Sequence, residues 1–129
     1  MVAYSFKPRF EAPIVDGSKA QTIRADRRRH ARPGETLQLY TGMRTKSCRL
    51  IGLATCRAVV PIRIDLEGGR IESDRGTNMS TVEELDYFAQ RDGFSGWSDM
   101  LDFWRREHPR AAVWSGMLIL WSSFRRGAP

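Results

Sequence analysis

Little in this chain of 129 residues suits crosslinking or metal binding: it has two cysteines, Cys48 and Cys56, and two histidines. Neither cysteine has a His or a further Cys at the spacing of a zinc site, so no structural metal is expected and no cofactor is implied. Long apolar runs are missing as well. No stretch approaches the roughly 20 residues needed to span a bilayer, and no basic segment followed by an apolar core and a small-residue cleavage site opens the chain. The expectation from these absences is a cytoplasmic protein with both thiols reduced and no membrane partner. An internal repeat, a long linker and a low-complexity segment are also lacking, which leaves residues 1–129 as one domain.

Acidic charge is the scarcer sign. Against 21 Lys and Arg stand 15 Asp and Glu, for a net charge of +6 and an isoelectric point near 10.0. That balance suits a polyanionic partner, although net charge speaks to association and solubility rather than to fold or reaction. Five arginines, Arg24, Arg27, Arg28, Arg29 and Arg32, fall within nine residues together with His30. Arginine is shaped to grip phosphate through two donors at once, which makes Arg27, Arg28, Arg29 and Arg32 candidates for nucleic-acid binding. A solvated basic loop accounts for the same run equally well.

What the chain does hold is 41% hydrophobic residues, including four Trp and six Phe, enough to fill one core. Residues 4–6 alternate like an edge strand. Pro8 fits the first turn of a short helix that carries Phe10, Ile14 and Val15 inward and stops at Asp16-Gly17. Residues 21–24 read as a brief strand, Arg32-Pro33-Gly34-Glu35 as a turn, and residues 36–40 as a strand with Leu37 and Leu39 on its buried face. Residues 48–64 are β-rich, and Gly52 and Pro61 predict bends or bulges dividing them into at least two strand segments. Glu67-Gly68-Gly69-Arg70 predicts a hairpin turn, and residues 74–79 a mobile loop. Thr81 with Glu84 forms a capping box opening a helix that ends near Asp92-Gly93; Ser95 is expected to cap the next one, running through Trp97 and Trp104. Residues 117–124 form a last strand, apolar on both faces. Together these predict an α+β fold with a small, mostly antiparallel sheet and two or three short helices. Closure into a β-barrel is the economical way to remove its exposed edges.

Chemistry concentrates in Asp16-Gly17-Ser18-Lys19-Ala20-Gln21-Thr22-Ile23-Arg24, a tight turn followed by Lys, Thr and Arg. A lysine beside a threonine hydroxyl makes a base and nucleophile pair if burial or nearby cations bring the amine toward neutrality. Equally, Thr22 can bond to backbone and Lys19 can be solvated. Gly17, Lys19, Thr22 and Arg24 match the Gly-x-Lys-x-x-Thr-x-Arg signature of ASCH domains, and the chain resembles that PUA-like family further. Arg32-Pro33-Gly34-Glu35-Thr36-Leu37 is similar to the family's Pro-Gly-Asp run into a strand, and Glu84-Leu85 through Ala89 and Asp92-Gly93-Phe94 follow in order.

The resemblance implies a PUA-like barrel and a pocket for a nucleobase or nucleic acid. Some small ASCH proteins are amidohydrolases that remove the acetyl group of N(4)-acetylcytidine, with the Thr as nucleophile, the Lys as its activator and a Glu assisting proton transfer. Carried over, the catalytic residues are Lys19, Thr22 and Asp92, the last standing where the family has a Glu one methylene longer. Gly17, Arg24 and Tyr40 are then the substrate-binding candidates, with Arg24 orienting the base or stabilising an oxyanion. Asp92 also reads as an ordinary helix-end residue before a glycine. The implied partner is a modified cytosine nucleoside or single-stranded RNA. Alternatives are a non-catalytic RNA-binding module and a metal-dependent ribonuclease. For the latter, Asp65, Glu67, Glu72 and Asp74 are close in sequence but read as a solvated hairpin.

Overall fold

The structure, a computed structural model, describes residues 1–127. Strand β1 (Val2–Phe6) leads through a 3-10 turn (Pro8–Phe10) into helix α1 (Glu11–Asp16). Gly17 ends α1 at φ 88°, a left-handed conformation that costs a glycine nothing. Strands β2 (Gln21–Arg24), β3 (Thr36–Thr41), β4 (Arg49–Asp65), β5 (Arg70–Ser73) and β6 (Asn78–Met79) follow. Helices α2 (Val82–Arg91) and α3 (Trp97–Glu107) precede the last strand, β7 (Val113–Arg126).

All seven strands join one mixed sheet, mostly antiparallel, with β1 and β3 the parallel pair. Its spine is β4. The first half of β4 pairs with β3, the second half with β5, and both halves with β7, which in turn carries β2. The expected barrel is not formed. Strand β1 pairs only with β3 and β2 only with β7, so the sheet stays open between these two edges. In place of a backbone ladder, the Arg24 guanidinium on β2 donates from Nη2 to the Ser5 carbonyl on β1 at 2.7 Å. An edge occupied by a charged side chain is protected without closure.

Other local expectations are corrected as well. Residues 49–65 form one continuous strand rather than two, because its irregularities are bulges that bend it without breaking its pairing. These bulges lie opposite Leu39/Tyr40 and within Leu53/Thr55 and Cys56/Ala58. Pro61 stays in register opposite Met117. The segment 74–79 is not all loop, since Asn78–Met79 adds β6 to β5. Ser95 does not cap α3. Its N-cap is Gly96, and the Trp97 N–H is taken by the Asp86 carboxylate of α2 at 2.8 Å. The capping box of α2 is present as expected, with Thr81 and Glu84 bonded reciprocally.

The core runs from Tyr4, Leu37 and Leu39 on β1 and β3 through Ile64, Ile71 and Ile119, all fully buried. Three phenylalanines then attach the helices near the start of β2. Phe10, Phe94 and Phe103 meet with ring centroids 5.3 to 5.7 Å apart. Such aromatic contacts contribute beyond the area they bury. They hold the turn after α2 against the turn before α1, and this fixes the site described next.

Candidate active site

The turn ending α1 sends Lys19 inward just before β2, while the turn ending α2 brings Asp92 to meet it. Lys19, Thr22 and Asp92 are all buried, at 2%, 4% and 5% exposure. The Lys19 ammonium donates to the Asp92 backbone carbonyl at 2.6 Å and lies 3.9 Å from its Oδ1. It also sits over the rings of Phe10 and Phe6, 4.8 and 5.4 Å from their centroids. On β2, Arg24 Nε donates to Thr22 Oγ1 at 3.1 Å. Its guanidinium carbon lies 4.8 Å from the Phe6 ring. Lys19, Thr22, Arg24 and Asp92 line one cavity of about 310 Å³, walled by Phe6, Phe10, Phe94 and Trp104.

Burial decides the protonation of this group. It pulls the Lys19 ammonium down to about 8, opposed by the Asp92 carboxylate and helped by the Arg24 charge. It pushes the Asp92 carboxyl up to about 6, against the attraction of Lys19, the Gln21 hydrogen bond and Arg24. Both shifts favour the neutral form, so the cost of desolvation exceeds the attraction between the partners. Burial also lowers Arg24, to about 10, which leaves it charged at neutral pH. The arrangement therefore sets a poised amine and a poised carboxyl in the cavity that also holds a hydroxyl bonded to a fixed cation. That is equipment for acyl transfer with proton exchange.

The other sequence-selected residues lie elsewhere. Gly17 caps α1 and does not line the cavity. Tyr40 stands on the face of β3 opposite the buried Leu39 and Thr41, and is also outside the cavity. In the arginine loop, Arg27 stacks 4.6 Å from the Tyr4 ring centroid and Arg29 pairs with Glu35 at 2.7 Å, so both are engaged within the chain. Arg28 and Arg32 are exposed. Asp65 Oδ1 accepts the Glu67 and Gly68 backbone N–H groups, and Glu72 pairs with Arg70. No grouping of three or more His, Cys, Asp or Glu suited to a metal occurs among the described residues.

Sequence reasoning missed Gln21, whose side chain is 2% exposed and donates to Asp92 Oδ1 at 3.3 Å. It missed as well Glu107 and His108 at the end of α3, and it read Trp104, which walls the same cavity, as core. The indole N–H of Trp104 is buried without a partner among the described residues. Burial of a glutamine in a strand leaves no local mark beyond its place inside the Lys-to-Arg segment. The α3 residues carry only helical spacing, which reads as core.

No family model matches the chain, and no curated protein sequence matches it. Among solved structures it is similar to ASCH from Zymomonas mobilis, with a TM-score of 0.56 and 17% identity over 96% of this chain and 68% of that one. A Tyr-to-Phe variant of that protein matches with the same TM-score and 16% identity, over 96% of this chain and 70% of the other. A Ser-to-Ala variant gives 0.56 and 17%, over 96% and 68%. At such identity the likeness is one of architecture, and it covers nearly the whole chain: the protein shares the fold of that ASCH structure.

Proposed function

We propose that the protein is a metal-free amidohydrolase that removes an acyl group from the exocyclic amine of a cytosine nucleoside, with N(4)-acetylcytidine as the type of substrate. The observation that carries this reading is the convergence of buried Lys19, Thr22 and Asp92 and half-buried Arg24 on one aromatic-walled cavity of about 310 Å³, near the lower end of the range for small-molecule sites. Thr22 Oγ1 attacks the acyl carbonyl and its proton passes to neutral Lys19, while Arg24 stabilises the negative charge that develops. The amide C–N bond breaks as Asp92 protonates the departing amine, leaving an acyl ester on Thr22. Water, giving a proton to the Asp92 carboxylate, then attacks the ester; the C–O bond to Thr22 breaks as the Lys19 ammonium returns its proton to Oγ1, and the carboxylic acid leaves. In the free protein Lys19 donates to the Asp92 carbonyl rather than to Thr22, so its amine turns to the hydroxyl, directly or through one water, when substrate enters.

The test is incubation with N(4)-acetylcytidine, following release of cytidine by absorbance, with Thr22→Ala and Lys19→Ala as controls. Turnover lost in both variants supports the assignment. Turnover indifferent to Thr22→Ala rejects the nucleophile and keeps the activity. A second reading, a non-catalytic single-stranded RNA-binding module, is favoured by the exposed guanidinium groups of Arg28 and Arg32. No turnover, together with RNA binding that weakens steeply with salt and with Arg28→Ala/Arg32→Ala, would replace the enzyme reading with that one.

A further inference from the structure

A second cavity, of about 240 Å³, lies between α2 and the sheet, with Gln21 on its wall. Its sides are apolar, from Val60 and Ile62 of β4 and Leu118 and Leu120 of β7. The rim differs in kind. Tyr87, 62% exposed, stands there with Arg75 and Arg91, and neither guanidinium pairs with a carboxylate among the described residues. Arg91 lies 5.8 Å from the Tyr87 ring centroid. In the wall, Gln21 spends its amide N–H on Asp92, and its amide oxygen takes no hydrogen bond from the described residues. An apolar slot with one free acceptor, an exposed ring at its mouth and two uncommitted cations beside it selects a specific chemistry.

We infer that this cavity is a second ligand site, taking a planar heterocycle that bears an N–H and an anionic substituent, the chemistry of a nucleoside monophosphate. The ring enters the apolar slot with its N–H on Gln21 Oε1, Tyr87 covers its outer face, and the phosphate meets Arg75 and Arg91. The volume admits one such unit and not two. Because the Gln21 amide also donates to Asp92, which lines the first cavity, occupancy of one cavity is felt at a carboxylate in the other. The inference stands independently of amide hydrolysis, since it concerns binding on the other side of β2.

The experiment is a methyl NMR titration of the full chain with cytidine 5′-monophosphate, cytidine and a single-stranded RNA trinucleotide. The expected result is shifts at the Val60, Leu118 and Leu120 methyls, with affinity at least tenfold weaker for cytidine and for the Arg75→Ala/Arg91→Ala variant. A trinucleotide that binds tighter than the monophosphate identifies RNA as the source of the ligand, and one that binds no tighter identifies the free nucleotide. The inference is overturned by shifts confined to Ile23 in the first cavity, by no shifts at millimolar ligand, or by binding that ignores both arginines and the phosphate.

Discussion

Lys19 and Asp92 share a space that favours neither charge, and two predictions belong to that pair. Lys19 must be neutral to accept the Thr22 proton, and burial brings its pKa from 10.5 down to about 8. The neutral fraction grows as pH rises, but the Asp92 carboxyl, at about 6, must keep its proton for the departing amine, so kcat/KM for N(4)-acetylcytidine should rise tenfold per pH unit below about 6, hold level between about 6 and 8 and fall above 8. A pH–rate profile checks this: a rate that falls from pH 6 onward with no plateau would remove Lys19 as the base, and one that climbs to pH 8 and then levels would remove Asp92 as the acid. Stability has its own sign. A lysine with a depressed pKa costs stability as pH falls from 10.5 through 8, and a carboxyl raised from 3.8 to about 6 costs stability as pH rises through that window. Near neutrality both penalties apply. Removing one partner leaves the other buried and unpaired, so Lys19→Met should lose about 3 kcal/mol, whereas Lys19→Met/Asp92→Asn should be at least as stable as the natural chain. Denaturant melts of the two variants decide it, and a double variant as unstable as the single would show that the pair is net stabilising.

At the scale of elements, the end of α2 sets the geometry of the site. Gly93 has φ 97°, and a Cβ there would come within 2.8 Å of Lys19 Cδ and 2.9 Å of Phe10 Cδ1. The Phe10 ring is held between Phe94 and Phe103 and cannot yield readily, so Lys19 must move. Gly93→Ala should cost about 1–3 kcal/mol from the left-handed backbone and the overpacking together. Its turnover, measured well below the melting temperature, should fall at least tenfold because the Lys19 amine is displaced. Unchanged turnover with the stability loss alone would mean that Lys19 keeps its place. The Asp-Gly pair at residues 92–93 thus combines two sequence readings offered separately: it ends a helix, and it delivers a buried carboxylate to the cavity.

For the molecule as a whole, the open edge between β1 and β2 is the telling feature. Arg24 spans it, bonded to Ser5 on one side and to Thr22 on its own strand. Arg24→Met leaves a partly buried carbonyl and a hydroxyl without that donor, at a cost of about 1–3 kcal/mol each in such settings. Amide hydrogen exchange should then accelerate in β1 relative to β4, which pairs with β7 through most of its length and with β3 or β5 at its two ends. Equal protection in the two strands would show that β1 is held by its parallel pairing with β3 alone. A sheet secured at this edge by a side chain of the candidate site links the stability of the fold to the geometry of that cavity.

The sequence by itself determined what depends on neighbouring residues. Strand β2 at residues 21–24, the stop of α1 at Gly17, the capping box of Thr81 and Glu84, and the hairpin turn at residues 67–70 all follow from short-range sterics and hydrogen bonding. The α+β class follows from their sum. Tertiary structure alone decided that the sheet stays open, since closure depends on whether two distant edges pair, and here an arginine side chain occupies that gap. It alone placed Gln21 on Asp92, 71 residues away, and left Tyr40 outside the cavity. It also settled the poise of Lys19 and Asp92. Spacing names the residues that can titrate, but only the packing of Phe6, Phe10 and Phe94 around them excludes the water that would hold both at their ordinary values.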